Sequence, residues 1–168
     1  MERDKMLMDH QDAYGHAMFD RLKGLGGLEI VERDDGYISC SSGPELYFME
    51  YKDWQLYEQR AMEYVCGLVL DIGCGPGRHS LYLQGLGLEV TGIDISPLAI
   101  EVSKARGVKD TRVMSITRVS RKMGIYDTIL MMGNNFGLFS NKKRARWMLR
   151  RFDSMTPADS RIIAQSLD

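Results

Sequence analysis

Apolar positions in this chain change their rhythm near Gly67. Before that point they fall into three blocks. Tyr14, Met18, Leu22 and Leu25 repeat at helical spacing between Met6 and Leu25, and KGLGG at 23–27 supplies a stop. LEIVERDDGYISCSS then places Asp35-Gly36 between two β-prone runs, the signature of a hairpin. Pro44 opens a third block in which Tyr47, Tyr51, Trp54, Met62 and Val65 suit one or two helices lying over a core or a site. Residues 1–43 therefore read as an N-terminal helix and hairpin appendage, and residues 44–168 as the main domain.

Beyond Gly67 short apolar runs alternate with helical segments. LVLDIG (68–73), LEVTGID (88–94), TRVMSI (111–116), DTILMM (127–132) and RIIAQSL (161–167) are predicted strands. Between them lie three predicted helices. GRHSLYLQGLG follows the first strand. Ser96-Pro97 caps the second helix, which carries Leu98, Val102 and Ala105 on its apolar face and stops at Gly107. The third begins at Asn141, with Met148, Phe152 and Met155 turned inward. Strands apolar on both faces and separated by helices predict a mostly parallel sheet of about five strands, covered on both sides. Right-handed crossovers make this an α/β, Rossmann-like, doubly wound fold.

Composition narrows the classes of function. The 168 residues are 44% hydrophobic and 27% charged, as in a soluble globular protein. No apolar run reaches the roughly 18 residues that a membrane span needs, and the charged N-terminus is unlike a signal peptide, so a cytoplasmic protein is expected. Lys and Arg total 22 against 23 Asp and Glu, which leaves no global positive field for nucleic acid or anionic membrane. Cys40, Cys66 and Cys74 are widely spaced, as are His10, His16 and His79, so neither a disulfide framework nor a metal site is expected. Each histidine reads as a surface or packing residue.

Candidate chemistry concentrates at LVLDIGCGPGR. Gly73, Gly75 and Gly77 at a strand-to-helix turn allow positive φ and let a ligand approach without Cβ atoms in the way, although a tight turn that only packs well would also use them. Asp94 favours the ligand reading. It closes the second strand about 20 residues on, where a carboxylate can accept hydrogen bonds from both ribose hydroxyls of a nucleoside. Position 78 is Arg78 where a GxGxxG dinucleotide fingerprint needs glycine, and no GK[ST] follows for a nucleoside triphosphate. Asp71 before the loop is the wrong charge for a pyrophosphate but suits a ligand bearing an ammonium and a sulfonium.

DIGCGPG followed by GLEVTGIDIS resembles the first two motifs of class I S-adenosylmethionine-dependent methyltransferases, from about Gly67 to Asp168. The resemblance implies S-adenosyl-L-methionine as cofactor. By position it implies that Asp71, Gly73, Cys74, Gly75 and Gly77 lie along the methionine portion, that Asp94 holds the ribose, and that Ile95 packs on adenine. Ser115 and Ile116 fall where the family usually places an acidic contact to the adenine amino group. Gly133 and Tyr47 complete the cofactor set, Tyr47 coming from a segment that this family often folds as a lid.

The resemblance also implies in-line methyl transfer, resting on proximity and alignment. MMGNNFGLF (131–139) lies on the acceptor side, where Asn134 and Asn135 can orient polar atoms and Phe136 can stack; Asn pairs before Gly are equally ordinary turn residues. NNFG resembles in part the (Asp/Asn)-Pro-Pro-(Tyr/Phe) motif of enzymes that methylate base amino groups, but lacks both prolines. NKKRARWMLRR reads as a solvated charged face, with Lys142 to Arg144 at a helix N-terminus where the macrodipole disfavours cations unless an anion compensates. The family sheet has seven strands; here its C-terminal two-strand hairpin is missing, and a truncated form, a minimal variant or a partner, such as a second copy covering the sheet edge, would each account for that. The expected function is methyl transfer to a small-molecule acceptor. The alternative is a non-catalytic module that binds S-adenosylmethionine or S-adenosylhomocysteine as a sensor or assembly subunit; a nucleic-acid methyltransferase and a nicotinamide oxidoreductase are weaker readings.

Overall fold

A computed structural model describes residues 7–41 and 43–166. Five strands form one parallel sheet: β3 (Val69–Ile72), β4 (Val90–Asp94), β5 (Asp110–Val113), β6 (Thr128–Met131) and β7 (Arg161–Ala164), in spatial order β5-β4-β3-β6-β7. β1 (Glu29–Glu32) and β2 (Ile38–Ser41) make a separate antiparallel hairpin around Asp35-Gly36. The chain runs outward from β3 through β4 to β5, then returns to place β6 on the other side of β3. That reversal opens a crevice at the carboxyl ends of the central strands, where open α/β sheets bind ligands.

The expected α/β class is the observed one. All four residues of β3 and of β6 are buried, which explains their unbroken apolar character. Leu70 and Ile72 of β3, with Ile129 and Met131 of β6, pack against Met148, Phe152 and Met155 under α5 (Lys142–Asp153). Val69 and Leu130 point to the opposite face, toward Trp54, Met62 and Leu83 of the 51–62 segment and α3 (Arg78–Gly85). Among the described residues β7 pairs only with β6, and Ile162 on it is exposed.

All five predicted strands are shorter than expected, and the N-terminal helix and the third and fifth strands stop furthest before their predicted ends. The N-terminal helix is α1 (Ala13–Leu22), preceded by a 3₁₀ turn at Asp9–Gln11, and Met6 lies outside the described residues. Asp12 sets its start, because its carboxylate accepts the Gly15 N–H as an N-cap. Leu22 and Leu25 are exposed, so the apolar stripe reduces to Met18 and the partly buried Tyr14. β5 ends at Val113, because the Ser115 hydroxyl accepts the Thr117 N–H and folds Ile116–Arg118 into a 3₁₀ turn. The fifth predicted strand ends at Ala164, and Leu167 is not described. After Pro44 the chain makes 3₁₀ turns at Gly43–Phe48 and Tyr51–Asp53, then the short α2 (Leu56–Met62). No helix of the described residues is long and apolar enough to cross a membrane.

Candidate functional site

A cleft of about 300 Å³ sits over the carboxyl ends of β3, β4 and β6. Its floor is the turn from β3 into α3, where Gly73, Gly75 and Gly77 all take positive φ. A Cβ on Gly73 would run into the Asn135 amide, so the turn closes only with glycine there. Gly73 and Cys74 line the cleft and form its backbone cradle. Burial, with the Asp71 and Asp94 carboxylates nearby, pushes the Cys74 thiol well above its ordinary range and keeps it neutral.

Asp94 ends β4 directly beside this turn. Its Oδ2 accepts the Gly75 N–H at 2.9 Å and its Oδ1 accepts the Ser96 N–H at 2.9 Å. A carboxylate has about four acceptor positions. Two remain for a ligand. Burial pushes the Asp94 carboxyl up, against the pull of those two backbone donors. Ile95, Ser115 and Ile116 continue the wall from Asp94, joined by Met114, and Gly133 and Tyr47 also line the cleft.

Other predicted residues stand elsewhere. Asp71 is 1% exposed and does not line the cleft. Strand alternation points it, like Val69, at α3, where the Ser80 hydroxyl donates to its Oδ2 at 2.6 Å. The reading of Asp71 as a direct partner for a cationic ligand is thereby corrected: it anchors the helix behind the loop. Gly75 and Gly77 shape the turn without lining the cleft; a Cβ on Gly77 would lie 2.6 Å from both Ser103 Oγ and Val108 Cγ2. Asn134 is exposed, in the left-handed region, and outside the lining. Asn135 does line the cleft, but its amide nitrogen donates to the carbonyls of Ile72 at 2.9 Å and Gly73 at 3.2 Å. It braces the loop, so the acceptor-side reading of its donors is corrected too. Phe136 is exposed and meets Phe139 edge-on.

Several cleft residues have no signature in the sequence reading. Tyr14, expected in a helical core stripe, comes from α1 and meets Tyr47 edge-on at 5.2 Å. The Tyr47 hydroxyl donates to Glu29 at 3.1 Å, and burial together with that carboxylate pushes it up to about 12. Asp12 ties this roof down: its Oδ2 accepts from Ser96 Oγ at 2.8 Å and from the Leu98 N–H at 3.1 Å. Arg78 reaches the Leu46 carbonyl at 2.8 Å and forms an ion pair with buried Glu58. Burial disfavours the Glu58 carboxylate, but contact with His79 and the Arg78 guanidinium outweigh it and hold its carboxyl below the usual range. Arg106 donates to the Pro76 and Tyr47 carbonyls at 2.8 and 3.3 Å. The two arginines thus clamp the Gly43–Phe48 segment, with Tyr47, over the cleft. His79 also lines it, packed against Trp54, and Arg144 enters from α5.

Known proteins share this architecture. The methyltransferase domain family matches residues 69–157. A crystal structure of an S-adenosylmethionine-dependent methyltransferase from Bacteroides fragilis, in complex with S-adenosyl-L-homocysteine, superposes with a TM-score of 0.84 at 31% identity, over 94% of this chain and 65% of that one. An uncharacterized methyltransferase from Schizosaccharomyces pombe is 36% identical over 70 residues, 39% of this chain and 48% of that protein. A ubiquinone biosynthesis O-methyltransferase from Xanthomonas euvesicatoria pv. vesicatoria is 32% identical over 82 residues, 45% of this chain and 34% of its own length. The matched part is therefore about half, or less, of these curated relatives. Its family match, spanning β3 through α5 and the cleft they form, makes this chain a member of the methyltransferase domain family.

Proposed function

We propose that the cleft binds S-adenosyl-L-methionine and that the protein transfers its methyl group to a small-molecule acceptor. The observation that carries this reading is Asp94 at the end of β4, fixed by the Gly75 and Ser96 N–H groups beside a glycine turn at the sheet's switch point. The residues suit the cofactor. Asp94 keeps two acceptor positions for the ribose hydroxyls, Ile95 and Ile116 offer apolar faces for adenine, and Gly73 and Cys74 offer a close backbone approach for the methionine portion. The S-adenosyl-L-homocysteine complex of the Bacteroides fragilis structure supports the same assignment.

When bound, the cofactor supplies an electrophilic methyl group on a sulfonium. The chain's own contribution is then alignment and exclusion of water. Tyr14 and Tyr47 roof the cleft, held by Asp12 and by the Arg78 and Arg106 clamps, while Asn135 fixes the loop beneath. The acceptor is expected to enter beside Gly133 and Leu138, after β6.

Titration calorimetry with S-adenosylmethionine, S-adenosylhomocysteine and NAD tests the proposal. Binding of the first two and not of NAD is expected, and Asp94→Ala is expected to weaken both by about 1.5–3 kcal/mol through loss of the ribose hydrogen bonds. NAD binding without response to the other two would sink the reading.

A further inference from the structure

We infer that the acceptor carries an anionic group, a carboxylate or a phosphate, and that Arg144 seats it; the inference rests on the reading of the cleft as a methyl-transfer site. The two arginines nearest the roof are already committed. Arg78 is satisfied by Glu58 and the Leu46 carbonyl, and Arg106 by the Pro76 and Tyr47 carbonyls. Arg144 is different. Its side chain lines the cleft, its Nε is buried with no hydrogen-bond partner, and it forms no ion pair among the described residues.

Its place makes that lack of an acceptor costly. Arg144 stands in the first turn of α5, held there because its backbone N–H donates to the Asn141 cap at 3.0 Å. A cation at a helix N-terminus opposes the macrodipole, and a buried guanidinium nitrogen without an acceptor adds to the penalty. Lys142 and Lys143 precede it on the exposed side, and the 12-residue helix carries six basic residues against Asp153 alone. A ligand oxygen would relieve both penalties at once through a charge-assisted hydrogen bond, and the surrounding cations would draw it in.

The same position separates this group from the cofactor. Asp94, Ile95 and Ile116 belong to β4 and the turn after β5, whereas Arg144, in the first turn of α5, lines the cleft together with Leu138 and Asn135 from the segment between β6 and that helix. On the proposed reading that segment is the acceptor side. Two expectations about the basic run are revised together: it is not only a solvated face, and the anion that would compensate its N-terminal cations has a cavity to occupy.

The experiment loads the protein with S-adenosylhomocysteine and titrates benzoate, phenyl phosphate and the neutral benzamide by calorimetry. At least one anion should bind about tenfold tighter than benzamide, a charge-assisted contact set against a neutral one, and whichever anion binds better identifies carboxylate or phosphate. Arg144→Gln should erase that preference while S-adenosylhomocysteine affinity stays within about twofold, and Arg144→Lys should keep part of it. Equal binding of anions and amide, or no binding of any of the three, overturns the inference. So does loss of S-adenosylhomocysteine affinity in Arg144→Gln, which would give the guanidinium to the cofactor's own carboxylate. Failure of the unaltered protein to bind S-adenosylhomocysteine is a separate result that removes the underlying reading as well.

Discussion

Asp71 is the penultimate residue of β3 and Asp94 the last of the neighbouring parallel strand β4, yet their surroundings divide them. Asp94 keeps two acceptor positions toward a cleft; Asp71 is sealed against α3 with Ser80. Asp94 was legible because a carboxylate at a strand's end, a fixed distance after a glycine turn, is a local pattern. The orientation of Asp71 was not, since only strand alternation against a particular helix decides it. Burial pushes the Asp71 carboxyl above its ordinary range, with His79, Ser80 and Arg78 pulling the other way. As pH rises past the unfolded value near 3.9, the unfolded Asp71 ionises first and stability is lost until pH passes the raised folded value. Asp71→Asn keeps an acceptor for Ser80 and has no proton to lose. Chemical denaturation across this range should show the variant gaining on the unaltered protein as pH rises, then holding a constant lead; a lead that shrank with pH would contradict the burial account.

Elements differ in how much of their placement is local. β3 and β6 are apolar on both faces because both faces are covered, and α4 (Pro97–Ala105) starts at Ser96-Pro97 because the Ser96 hydroxyl accepts the Ala99 N–H. Such elements follow from a few consecutive residues. α1 does not. Its apolar stripe predicts a helix but not that Asp12, capping it, also accepts from Ser96 and Leu98 at the start of α4. That bond carries Tyr14 onto the cleft. Asp12→Ala removes one N-cap and strands the Ser96 hydroxyl and the Leu98 N–H, so a stability loss of about 1–3 kcal/mol is expected in urea denaturation. Cofactor affinity should fall as well, because the roof is no longer fixed. A variant as stable as the parent, with unaltered affinity, would mean that α1 is held by apolar packing alone.

At the scale of the molecule, the strand order β5-β4-β3-β6-β7 brings the residues after β3, β4, β5 and β6 to one end of the sheet, and the N-terminal segment covers that end. Residues as far apart in sequence as Tyr14 and Arg144 thereby share one cleft, which is why those two carried no signal while the glycine turn did. On the proposed function, the same geometry rests the ribose of S-adenosylmethionine on Asp94. A crystal structure of this chain with S-adenosylhomocysteine tests this placement most directly. Both ribose hydroxyls are expected within hydrogen-bond distance of the Asp94 carboxylate, with adenine between Ile95 and Ile116. A nucleoside bound away from Asp94, or held outside the cleft, would contradict it.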